Sequence, residues 1–173
     1  KSRHWNKKIR SDISLDSGAG GSENDLILKK YREAGFAIAG LQPAQGIFRG
    51  SGTIIFLNEE QPRIPGKRFM GMSLEYGGDW SSASYPGSKM GAIALVWQIL
   101  SDASWHINSL NRSAKSPNML KSPTRNDALE CLENCLNKSQ YVLIDSKDEL
   151  DSLRLSSLCK EFELQPIHLG SGL

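Results

Sequence analysis

A chain of 173 residues with 39% hydrophobic content is long enough for one domain with its own core, because a chain of this size buries roughly 70% of its unfolded surface. Its 21 Lys and Arg stand against 19 Asp and Glu for a net charge of +2, so the sequence lacks the basic excess that neutralises a nucleic-acid backbone. The longest apolar run, residues 92–97, falls far short of the ~20 residues of a membrane helix, and a soluble protein with neither nucleic-acid partner nor membrane span is expected.

The chain opens KSRHWNKK, without an initiator methionine or an apolar leader, and closes on LQPIHLGSGL. Both ends are expected to continue into a longer protein, and cytoplasm and periplasm fit equally well as compartments. Residues 12–21 read as a polar, glycine-rich loop. Ser22 then opens ENDLILKKYREAG, with acids in the first turn, Ile27, Tyr31 and Ala34 on one face and Gly35 at the C-terminal stop, which predicts a helix over 22–34. FAIAGLQ follows as a mostly buried strand.

Between that strand and TIIFL (53–57), also a strand, lies QPAQGIFRGSG, with Gly46, Gly50, Gly52 and Arg49. The glycines fit neither the Walker pattern nor the dinucleotide fingerprint, and the loop leads into a strand rather than the helix N-terminus that cradles phosphate. NEEQPRIPGKRF reads as a loop and MSLEY (72–76) as an alternating strand. GGDWSSASYPGS is a loop in which Trp80 and Tyr85 are weak candidates for a ligand platform, Trp97 reading as core, and Glu75 with Asp79 reads as a carboxylate pair or equally as part of a solvated loop.

Ser88 is placed to cap the longest helix, residues 89–110, whose stripe of Ile93, Trp97, Leu100, Ser104 and Ile107 predicts packing on a sheet. Residues 113–123, with two Ser-Pro pairs, read as a surface linker, and NDALECLENCLNK as a helix. YVLIDS is a strand, SxxE at 146–149 a capping box ahead of LDSLRLSSLCKEFEL, and QPIHLG the last strand. GSKMG lacks the spacing of a nucleophile elbow, and SLCK falls mid-helix. Cys131, Cys135 and Cys159, without paired histidines, read as small core residues rather than a zinc site.

Alternating helices and apolar strands predict an α/β fold with a parallel sheet, whose ligands gather at the carboxyl ends of the strands. That rule singles out Gln42, Arg49, Glu75, Asp145 and His168. Arg49 reads either as a substrate-facing charge or as a tie from its loop to a neighbouring carboxylate. His168 reads as a satisfied core histidine or a ligand, and Asp145 as a site carboxylate or a helix cap beside Ser146.

The strings REAGFAIAGLQPAQGIFRGSGTIIFL, GMSLEYGG, YPGSKMGAIALVWQILSDASWH and YVLIDSKDELDSLRLSSLCKEFELQPIHLGSG resemble the middle of amidohydrolase-superfamily proteins of the imidazolonepropionase-like type, over residues 5–172. The resemblance implies that residues 1–173 form part of a (β/α)8 TIM-like barrel that hydrolyses C–N bonds of linear or cyclic amides in the full-length protein. It also implies one or two divalent metals, zinc among them, with Asp145 and His168 as candidate catalytic residues and Gln42, Arg49 and Glu75 as candidate substrate-binding residues. No metal ligand is evident in the segment itself: Asp145 holds the place of one family histidine, and His168 falls one residue before the place of another, at Leu169, which turns it to the opposite face of its strand. A catalytically inactive binding barrel is the alternative, and a homo-oligomer is left open.

Overall fold

A computed structural model describes residues 4–14, 22–58, 63–76, 85–119 and 121–170. In chain order they form α1 (Ser22–Glu33), β1 (Ile38–Leu41), β2 (Phe48–Phe56), β3 (Arg63–Ser73), α2 (Lys89–Lys115), α3 (Asp127–Glu130), α4 (Glu133–Leu136), β4 (Tyr141–Asp145), α5 (Glu149–Glu161) and β5 (Pro166–Leu169). One curled five-stranded sheet, a half-barrel, follows the order β1-β2-β3-β4-β5.

The sheet is mixed rather than all parallel. β1, β2 and β3 pair antiparallel, whereas β3, β4 and β5 pair parallel. The reason lies in the connections. Short segments join the first three strands, and a parallel partner needs a crossover of a dozen or more residues. Such crossovers exist only from β3 to β4, through α2, α3 and α4, and from β4 to β5, through α5.

Two strands begin earlier than their composition suggests. β2 starts at Phe48 rather than at residue 53, and β3 occupies Arg63–Ser73, where the sequence reads as a loop followed by a strand at 72–76. The register jumps between Thr53↔Arg68 and Ile55↔Arg63, so a bulge absorbs Pro65 and Gly66 without ending the strand. Gly50 has φ +104, and a Cβ there would collide with the Ile13 carbonyl oxygen. That close approach lets the N-terminal segment run along β2, with Ile47 N–H donating to Lys8 O, Arg10 N–H to Phe48 O and Ser51 N–H to Ile13 O, each at 2.8 Å.

One face of the sheet is covered by helices. Phe48, Met70, Met72, Val142 and Ile144 pack against Leu95, Ile99 and Leu100 of α2 and Leu155 and Leu158 of α5 in a single core. The buried side of α2 keeps Leu100 and Ile107 of the expected stripe, with Ala92, Leu95, Val96, Ile99, Ala103 and His106 also buried, while Trp97 is 48% exposed and its Nε1 donates to Glu161 Oε1 at 2.8 Å. Fully buried alanines at 92 and 103 bring the helix close to its neighbours, which a tryptophan at the contact would prevent.

Ser88 caps α2 as expected, accepting from Gly91 N–H, and the helix continues to Lys115, taking the first residues of the linker. The expected helix over NDALECLENCLNK is broken at Cys131–Leu132, where i→i+3 bonds from Leu132 N–H to Leu129 O and from Cys135 N–H to Leu132 O tighten the chain. α5 is capped by Asp148, whose carboxylate accepts from Asp151 N–H at 2.7 Å, rather than by a box built on Ser146. A carboxylate there also meets the positive end of the helix dipole.

Candidate functional site

Strand alternation and register build the uncovered, concave face. Phe69, Gly71 and Ser73 of β3 stand beside Tyr141, Leu143 and Asp145 of β4, and these last two beside Ile167 and Leu169 of β5. Because β2 runs opposite to its neighbours, its first residues meet the carboxyl ends of β3 and β4. Arg49 therefore arrives beside Asp145 although 96 residues separate them.

Arg49 Nη1 donates to Asp145 Oδ2 at 2.6 Å, with the arginine side chain 11% exposed and the aspartate 40%. This charge-assisted bond is the tie from loop to carboxylate that the sequence left open. The arginine stem crosses bare backbone: a Cβ on Gly71 would lie 3.1 Å from Arg49 Cβ and 2.8 Å from Gln42 Oε1. Gln42 Oε1 and Arg49 Nε are both buried without a hydrogen-bond partner, one acceptor and one donor over the same glycine.

Glu75 holds the preceding loop in place. Its Oε2 accepts from Gly46 N–H at 2.8 Å, and Ser73 Oγ donates to Gly46 O at 2.9 Å. Lys8 Nζ lies 3.9 Å from the Glu75 carboxylate. Between this loop and the start of α5 opens a cavity of about 300 Å³, at the small end for small-molecule sites, lined by Arg49, Ser73, Glu75, Asp145, Lys147 and Asp151 among others.

Asp151 is 3% exposed and is neutralised by Lys89 at 2.9 Å and Arg154 at 3.1 Å. Hydrogen bonds to Asp151 first and Asp148 second hold the Lys89 ammonium above its usual pKa. The Asp148 carboxyl is held below its own, chiefly by the Asp151 backbone N–H and then by Lys89. Lys147 is exposed at the cavity wall.

Four of the five candidate residues thus share one end of the sheet. His168 stands apart. It is in register with buried Ile144, on the helix side, where its Nδ1 is 2.9 Å from Ser152 Oγ and its Nε2 3.1 Å from Ser156 Oγ. Leu169 follows on the concave face beside Asp145. His4 and His106 have other partners: His4 Nδ1 accepts from Asn6 N–H, and His106 Nε2 lies 3.4 Å from Glu130 Oε1.

A divalent metal implied by the family resemblance does not fit these residues. Among the described residues no group of three or more His, Cys, Asp or Glu side chains could hold a metal ion. Asp145 already faces a guanidinium, and Leu169, the residue beside it on β5, carries no donor. Burial pushes the Cys135 thiol up to about 12 and that of Cys159 to about 11, as suits core thiols.

Ser73, Lys147 and Asp151 are cavity residues that the sequence did not single out. Ser73 and Lys147 carry a signal in retrospect, since Ser73 shares the strand-end register of Asp145 and Lys147 follows it by two. Trp80 and Asp79 lie outside the described residues. Tyr85 stacks with Trp5 at a centroid distance of 6.3 Å, and its hydroxyl donates to Gly91 O.

No family profile and no curated protein matches the chain. Among solved structures it is similar to the crystal structure of an amidohydrolase from Thermotoga maritima MSB8, with a TM-score of 0.63 and 14% sequence identity. The match covers 78% of this chain and 36% of that one, so this chain spans little more than a third of its length. At such identity the likeness shows the fold alone, an amidohydrolase-like α/β half-barrel. Among the described residues no helix is long and apolar enough to cross a membrane.

Proposed function

We propose that residues 1–173 form one part of an amidohydrolase-like (β/α)8 barrel and that its rim binds a small polar ligand, a linear or cyclic amide, without holding a metal. The observation that carries this reading is the Arg49–Asp145 ion pair at the carboxyl end of β4, where a metal-binding barrel would present a free ligand. Arg49 and Lys147 supply charges at the cavity wall, and Glu75 positions the loop that carries Arg49.

A second reading, hydrolysis of C–N bonds by metal-activated water in the full-length protein, draws support from the cavity's place at the carboxyl ends of parallel strands, where barrel enzymes react. In that case the divalent ion, zinc among the candidates, is held by side chains outside this segment.

Titration of the complete protein with a panel of linear and cyclic amides, with amine or ammonia release followed in parallel, tests both. Binding that Arg49→Ala weakens at least tenfold, without turnover, is the expected result. Turnover abolished by a chelator and restored by zinc supports the hydrolase instead, and binding unaffected by Arg49→Ala overturns the rim site.

A further inference from the structure

The two Ser-Pro pairs of the segment joining α2 to α3 have no part in the rim. Both read Lys-Ser-Pro, at residues 115–117 and 121–123, but the fold treats them differently. Ser116 closes α2: its backbone N–H donates to Arg112 O and Ser113 O, and its carbonyl accepts from Met119 N–H in a tight turn. A chain bent in this way cannot lie extended in an enzyme cleft.

Ser122 is presented in the opposite manner. Residues 121–126 belong to no helix or strand, and among the described residues no backbone group of Lys121 to Arg125 bonds to other backbone. Lys121, Ser122, Thr124 and Arg125 are exposed. Pro123 excludes the helical region for the residue before it and so favours an extended Ser122.

Three residues on, the Arg125 side chain is 79% exposed, with Asp127 at 2.7 Å and Glu130 at 3.8 Å. An ion pair this exposed is screened by solvent and contributes little, so another acid can compete for the guanidinium. Serine, then proline, then a basic side chain at the third place is a pattern that proline-directed protein kinases accept, and here its serine is exposed and lies outside every described helix and strand.

We infer that Ser122 is a phosphorylation site for a proline-directed serine kinase. Ser122 Oγ bonds to the γ-phosphorus of a nucleoside triphosphate as the bond from that phosphorus to the β–γ bridging oxygen breaks. The nucleoside diphosphate leaves, and the hydroxyl proton passes to the carboxylate base of the kinase. The product places close to two negative charges three residues from Arg125, where they compete with Asp127 for the guanidinium. This inference is independent of the rim.

The test is incubation of the complete protein with a proline-directed serine kinase and nucleoside triphosphate, followed by phosphopeptide mapping. One phosphate on Ser122 is expected, with incorporation falling at least tenfold in Ser122→Ala and in Pro123→Ala and unchanged in Ser116→Ala. A peptide of residues 115–127 runs in parallel. Phosphate on the peptide but not on the protein, phosphate mainly on Ser116, or incorporation indifferent to Pro123→Ala each overturns the proposal.

Discussion

Arg49 shows how one side chain can be legible in kind and open in role. Its charge in a glycine loop marks it from sequence alone, but its partner, Asp145, is set by a strand reversal that no local pattern encodes. A double-mutant cycle of Arg49→Ala and Asp145→Ala should give a coupling of about 1–2 kcal/mol, more than a fully exposed pair because the arginine is largely buried. Additive losses would show that the two charges do not act together. Gly50→Ala should cost about 2 kcal/mol or more, since a positive φ and the Ile13 carbonyl both oppose a Cβ; a melting temperature equal to that of the parent protein would contradict the close approach of the N-terminal segment. Cys135 and Cys159, buried with raised pKa, should resist a thiol reagent at pH 8 until the protein is unfolded, as mass spectrometry of the labelled protein would show.

At the scale of elements, strands and helices with an unbroken apolar signature were readable, β4, β5 and α5 among them. β3 was not, because Pro65 and Gly66 speak for a loop when taken locally and are absorbed by a bulge only when β2 lies alongside. The stripe of α2 was readable in part: Leu100 and Ile107 are buried as expected, while Trp97 is 48% exposed and Ala92 and Ala103, which the pattern did not mark, are fully buried. The cap of α5 has a pH signature. The Asp148 carboxyl has its folded-state pKa lowered, so its contribution is present above the ordinary carboxylate range and is lost as pH falls through the lowered value. Asp148→Ala should therefore lower the melting temperature at pH 7, and the difference from the parent protein should close in strong acid. A gap that persists unchanged there would assign the effect to something other than the carboxylate.

Among the described residues, helices cover one side of the sheet, and the other side exposes several apolar side chains. Tyr141 is 51% exposed and Ile167 and Leu169 each 43% on the concave face, and among the described residues β5 ends the sheet with an unpaired edge. Residues 1–173 on their own should self-associate or bind a hydrophobic dye, and a monodisperse monomer with one sharp unfolding transition would contradict the proposed part-barrel. The mixed α/β class was legible from alternating helices and strands, but the parallel sheet expected throughout holds only for β3, β4 and β5. The strand direction of β2, and with it the ion pair at the centre of the site, depends on loop lengths that the composition of QPAQGIFRG disguises.

The central claim, that this rim binds a ligand without holding a metal, is tested most directly by elemental analysis of the complete protein and of its Asp145→Ala and His168→Ala variants after gel filtration. Whatever metal the parent protein carries should be carried undiminished by both variants. Stoichiometric zinc in the parent protein that either substitution removes would contradict the claim.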